Sequence, residues 1–396
     1  MIASIRQQYN STFTNEAYQQ FLQSIYDTFH HVPAFRISET PIFIDKVLKE
    51  KLFDACNEIS EQISRPDFKH KSEGAIIPKY KVENEDDHTL FLQMDFGICV
   101  ETDGTLSPKL VEIQGFPSLY FYQDLLAEKY REHFDIPDDY IHLFQGLNQD
   151  SYRALLRKNI IGSSKPENVV LLEIQPDKQT TRIDFLCTQQ HLGLAVKCIS
   201  EIKKEGRDLF YIDEKGKKIG IERIYNRVIF DELDHYPDLP REFYFKDEVN
   251  VEWAGHPNWF FRISKHTLPF LKSQYIPETR FLSDVREVPE DLHNYVLKPL
   301  YSFAGSGVLM NLNRFDLHSI KESENYILQR KVKYASCIAT PNEPAKCEVR
   351  MLMIWEPGAP RPKLVTNLVR MSKGEMVGVK YNRDKDWVGA SVGFFE

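Results

Sequence analysis

The chain has 396 residues and 50 Lys+Arg against 58 Asp+Glu, so its formal net charge is −8, a balance that argues against a protein built mainly to grip nucleic acid. A hydrophobic content of 42% with 12% aromatic residues fills sizeable cores in two or three lobes and excludes whole-chain disorder. No apolar run approaches the roughly 18–20 residues that span a bilayer, so no membrane partner is expected, and six scattered cysteines without a C-x-x-C pair read as reduced thiols in a cytoplasm.

In chain order, residues 1–90 read as amphipathic helix, with apolar and aromatic residues at helical spacing in AYQQFLQSIYDTFHH and VLKEKLFDACNEISEQI. LFLQMDFGICVE and KLVEIQGFPSLY then read as two strands joined by a turn at Thr102–Thr105, an antiparallel hairpin. Residues 122–160 return to helix. After the Ser-Ser-Lys-Pro break at 163–166, NVVLLEI, DLFYID and IERIYNRVIF read as strands and TRIDFLCTQQHLGLAV as helix, the grammar of a small βαβ lobe with a partly parallel sheet. Beyond 246 come a helical stretch near 264–273, strands NYVLKPL, GVLMNL and YILQRKV, and three further strands, CEVRMLMIW, PKLVTNLVRMS and EMVGVKYN.

Three groups of residues carry candidate chemistry. Lys298 at a strand end, followed by a turn containing Ser302, Gly305, Ser306 and Gly307, offers a fixed cation and unobstructed backbone N–H groups to a polyphosphate; the same pattern also serves an ordinary hairpin. Asp95, Glu112 and Gln114 can share one sheet face, because positions i and i+2 project together and the hairpin brings Asp95 across. Three hard oxygens with two carboxylates suit Mg²⁺. Arg350 and Arg370 interrupt apolar strands and can clamp a phosphoryl group, or simply pair with carboxylates such as Glu348.

Together these segments resemble the ATP-grasp superfamily in a circularly permuted order, as in the glutathionylspermidine synthetase-like and glutathione synthetase-like groups. Lys265 in ISKHTLPFLKSQYIPETRFL resembles the family's first lysine, Lys298 the second, and Gln329 in YILQRKV the end of the adenine-reading hinge strand. EVR and LVRMS, with Arg350 and Arg370, resemble the family's arginine strands, while the metal-binding acidic pair resembles MDFGICVE and VEIQGFPS near the N-terminus. IYNRVIFDEL, with Arg227, is similar to the linking-lobe motif. Gln114 stands where an Asn is usual, and the stretch from Gly374 to Asn382 resembles a loop ending in Asn.

The resemblance implies an α+β fold with an α/β lobe, antiparallel sheets enclosing a nucleotide cleft. Its expected parts are an N-terminal helical region (1–90), a permuted part of the C-lobe with the metal hairpin (91–164), an α/β substrate lobe (165–245), the N-lobe with the lysines and glycine loop (246–333), and the rest of the C-lobe (334–396). It implies an ATP- and Mg²⁺-dependent ligase that joins a carboxylate to an amine through an acyl phosphate. Lys265, Lys298, the 302–307 loop and Gln329 hold ATP in that scheme; Asp95, Glu112 and Gln114 hold the metal; Arg350 and Arg370 are catalytic; Arg227 and Asn382 face the substrate. The rival expectation is an ATP-binding sensor or scaffold that keeps the fold without turnover.

Overall fold

The computed structural model describes residues 1–301, 307–374, 376–378, 381–382 and 384–396. After a short first strand, β1 (Ile42–Ile44), the expected hairpin forms from β2 (Phe91–Val100) and β3 (Leu106–Gln114), antiparallel, with Gln93 opposite Gln114 and Asp95 opposite Glu112. Its turn closes as the sequence implies. The Glu101 N–H donates to Thr105 O at 2.9 Å, and Gly104 takes a φ of 83°, a region that costs a glycine little.

The middle of the chain supplies β4 (Val169–Glu173), β5 (Ala195–Cys198), a meander of β6 (Lys203–Glu205), β7 (Asp208–Ile212) and β8 (Lys218–Ile221), then β9 (Arg223–Asn226) and β10 (Glu252–Ala254). β10-β9-β4-β5 form an all-parallel sheet. Two expectations change here. The helix Arg182–Leu192 stops at Gly193, whose φ of 73° caps it, so the following Ala195–Cys198 is a strand rather than more helix. DLFYID enters the antiparallel meander instead of the parallel sheet. β4 is buried along its whole length, whereas β7 buries only Leu209 and Tyr211, and one-sided burial suits an antiparallel edge.

β11 (Thr279–Phe281), β12 (Tyr295–Pro299) and β13 (Tyr326–Arg330) make a second antiparallel sheet in the order β11-β13-β12. GVLMNL is not a strand. It retains a single bridge, Leu297 to Leu309, and Asn311 turns the backbone at a φ of 57°. The last strands are β14 (Lys346–Ile354), β15 (Lys363–Ser372), β16 (Gly389–Ser391) and β17 (Gly393–Phe395). The described part of EMVGVKYN is turn, with residues 375, 379 and 380 outside the described set. β16-β15-β14-β2-β3 form one antiparallel sheet, so residues from the first and last thirds of the chain lie side by side.

That five-stranded sheet has two unlike faces. Phe96, Met94 and Met351 on its back pack against Leu48, Leu52, Cys56 and Ile59 of the helix Lys46–Ile63, each buried Leu or Ile contributing about 1.5–3 kcal/mol. Asp45 caps this helix by accepting from the Leu48 N–H at 2.9 Å. The helix Asn15–Phe29 packs on the helix Tyr120–His133, with Phe21 stacked on Tyr130 at 4.6 Å, and β1 pairs in parallel with β17. The N-terminal helices therefore share cores with the rest of the chain. The fold is mixed α/β, antiparallel sheets combined with one parallel lobe.

Candidate functional site

The front of the five-stranded sheet carries the charges. Register alone sets them together: Arg350 on β14 lies opposite Asp95 on β2, and Glu348 opposite Arg370 on β15. Arg350 donates from Nε to Asp95 Oδ1 at 2.5 Å and from Nη2 to Oδ2 at 2.7 Å, while its Nη1 reaches Gln93 Oε1 at 2.9 Å. Arg370 Nη2 donates to Asp95 Oδ2 at 2.6 Å and lies 3.0 Å from Glu348 Oε2. Tyr334 closes the chain of contacts by donating its hydroxyl to Glu348 Oε1 at 2.6 Å. Burial disfavours the charge on Asp95, but Arg350 and Arg370 outweigh it and hold the carboxyl below its ordinary range.

The two lysines reach the same face from other elements. Gly115, at the end of β3, donates its N–H to Ile263 O at 2.9 Å, and a Cβ there would stand 2.5 Å from Trp259 O. Only glycine admits this approach, and it docks the segment carrying Lys265 against β3. Ser264 caps the 3-10 helix Lys265–Phe270 by accepting from the His266 N–H at 3.2 Å, leaving Lys265 Nζ 3.4 Å from Glu112 Oε1. Lys298, on β12, donates to Val111 O of β3 at 3.1 Å and to Gln329 Oε1 of β13 at 2.6 Å. Thr279 orients that amide by accepting from Gln329 Nε2 at 3.1 Å. Burial lowers Lys298 to about 8; Glu112 opposes the fall and Lys265 adds to it.

Of the residues singled out from sequence, Asp95 contacts Arg350 and Arg370, Glu112 pairs with Lys265, and Lys298 contacts Gln329 and the backbone beside Glu112; the strand pairing of Asp95 with Glu112 links these groups, and Gln114 shares the face of Glu112 at the end of β3. Ser302, Gly305 and Ser306 lie outside the described residues. Gly307 has a φ of 69° and a hydrogen where a Cβ would fall 2.9 Å from Pro299 Cγ, so the chain leaving the loop packs closely over the end of β12. Arg227 is not open to solvent. It is buried, donates to Pro117 O, and lies 3.8 Å from Asp184, with the Phe116 and Phe185 rings 5.3 and 5.4 Å away. Asn382 binds its own loop: Oδ1 accepts from Ser372 Oγ and the Lys373 and Gly374 N–H groups, and Nδ2 donates to Met376 O and Gly378 O.

Sequence reasoning missed Gln93 and Tyr334. Gln93 is two residues before Asp95 and so shares its face, a signal that was present in the strand alternation. Tyr334 gave none; its place depends on Gly97, where a Cβ would stand 2.8 Å from Tyr334 Cε1 and from Val332 Cγ1.

Among the described residues no group of three or more His, Cys, Asp or Glu is arranged to hold a metal ion. The converging oxygens are Glu112, Gln114 and the arginine-bound Asp95. Mg²⁺ is usually held by one or two carboxylates with water and substrate phosphate completing its shell, so the Glu112 and Gln114 oxygens fit an ion that brings most of its shell with it, while those of Asp95 are taken up by the arginines.

Compared with solved structures, the chain aligns over 97% of its length with 98% of a glutathione synthetase-like effector from Globodera pallida in its apo form, at a TM-score of 0.59 and 10% identity. That likeness establishes a shared fold. A structure from Methylobacillus flagellatus, provisionally named a gamma-glutamylcysteine synthetase, covers 85% of the chain and 86% of its own at 12% identity, but with a TM-score of 0.37 it carries no argument. No protein-family model matches the chain, and no curated protein matches it. No helix among the described residues is long and apolar enough to cross a membrane.

Proposed function

We propose that this protein is a permuted ATP-grasp ligase that uses ATP and Mg²⁺ to join a carboxylate to an amine. The observation that carries the reading is that Lys265 pairs with Glu112 and Lys298 bonds the neighbouring Val111 O, while Asp95, the strand partner of Glu112, holds Arg350 and Arg370, on a fold shared with a synthetase-like protein. The chain divides in this reading at the boundaries given above, with β10 added to the substrate lobe.

Lys265 and Lys298 bind the phosphates of ATP, and Gln329 keeps the Lys298 amine aimed at them. Glu112 and Gln114 hold Mg²⁺, which supplies charge neutralisation on the phosphates. The substrate carboxylate attacks the γ-phosphorus, forming the acyl phosphate and releasing ADP. Arg370 stabilises the charge on the transferring oxygens. The amine then attacks the acyl carbon and expels phosphate, leaving the amide. Arg227 shapes the acid subsite by fixing Pro117 after β3, and Asn382 does so by closing the loop after β15.

An ADP-release screen over pooled amino acids, dipeptides, thiols and polyamines, with Lys298→Ala as the blank, tests the reading. Release that needs both an acid and an amine supports it. Nucleotide-dependent thermal stabilisation without ADP release from any pool selects the sensor reading instead, which the arginine-bound state of Asp95 favours.

A further inference from the structure

Asp95, Glu112 and Gln114 face the same way on the hairpin, yet their surroundings differ. Both oxygens of Asp95 accept from guanidinium nitrogens, three contacts in all, and the residue is 2% exposed. Glu112 is partly exposed and faces Lys265. The arginines differ as well. Arg350 places Nε, Nη1 and Nη2 on Asp95 and Gln93 and is buried, whereas the Arg370 side chain is 37% exposed. Mg²⁺ demands contacts near 2.0–2.1 Å in nearly octahedral geometry, and a carboxylate already holding two guanidinium groups would have to break charge-assisted hydrogen bonds to supply one. Charges also balance locally, Asp95 and Glu348 against Arg350 and Arg370.

We infer that Asp95 is a positioning residue: with Arg350 as a buried strut, it aims Arg370 into the cleft, and the oxygens that contact the ion are those of Glu112 and Gln114. This rests on the proposed nucleotide site and assigns its charges differently from the hairpin pattern, in which Asp95 is itself a metal ligand.

Mn²⁺ bound in the presence of ATP, followed by electron paramagnetic resonance on the full chain, separates the roles. The expected result is that Asp95→Asn keeps Mn²⁺ affinity within about threefold while Glu112→Gln loses about thirtyfold; equal losses overturn the assignment. Titration of ATP in EDTA then reads the positioning. Arg370→Gln is expected to weaken ATP about tenfold in the wild-type background and only about twofold in the Asp95→Asn background, whereas equal losses in both overturn it. If the wild type binds neither probe, the proposed activity fails, and urea unfolding decides the anchor separately. There Asp95→Asn and Arg370→Gln are expected to couple by about tenfold in the folding constant, and simple additivity overturns the anchor.

Discussion

The front of the five-stranded sheet and the parallel sheet of the middle lobe both bury charges, but they use them differently. On the sheet front, carboxylates and guanidinium groups meet in direct pairs, so Asp95 stays ionised despite burial. In the lobe, buried titratable groups serve the backbone. Asp184 accepts from the Leu119, Phe121 and Tyr122 N–H groups at 3.0–3.1 Å, Arg227 donates to Pro117 O, and Glu173 accepts from the Ile174 N–H at 2.8 Å. Among the described residues no arginine contacts Glu173 as directly as Asp95 is contacted, and burial pushes its carboxyl up to about 8 against the partial opposition of Arg227. Burial without a direct cation partner neutralises a carboxylate; burial with matched cations preserves its charge.

The largest test of this contrast is Asp95→Ala. It leaves the buried Arg350 without its carboxylate and Arg370 with Glu348 alone, and is expected to cost about 3–5 kcal/mol in urea unfolding; a loss below about 1 kcal/mol would show that the pairs do not hold the sheet together. Lys298→Ala comes next, with nucleotide affinity falling about 30–100-fold. Because the Lys298 amine sits near 8, wild-type ATP affinity is expected to decline as the pH rises through that value and the lysine loses its proton, while Lys298→Arg stays flat between pH 7 and 9. Isothermal titration at several pH values measures both.

Glu173 gives a pH dependence in stability rather than in ligand affinity. Its folded pKa lies above the unfolded value of 4.5, so the folded state holds the extra proton and stability falls as pH rises from that value to about 8. Glu173→Gln removes the fall and is expected to stabilise the protein by about 1–3 kcal/mol at pH 8 with no gain at pH 4, measured as paired unfolding midpoints. The smallest effect is expected from Gly97→Ala, about 1–2 kcal/mol, as the new methyl pushes Tyr334 and Val332 off β2. An unchanged unfolding midpoint would mean that the segment above the sheet yields freely.

Strand periodicity and turn chemistry made the β2–β3 hairpin and the positions of Lys298, Arg350 and Arg370 on their strands legible from the chain alone, because alternation fixes which side chains share a face. The end of the helix at Gly193 was also written there, although the apolar run through Ala195 and Val196 hid it. GVLMNL showed that an apolar run is not a strand without a partner for its backbone; only Leu309 found one. The choice between metal ligand and arginine anchor for Asp95 could not be read from the chain, since Arg350 is 255 positions away and Arg370 is 275. Sequence determined which chemical groups each strand offers and on which side. Tertiary structure decided which of those groups neutralise one another, because pairing depends on contacts between strands far apart in the chain and on the close approach that Gly97 and Gly115 allow.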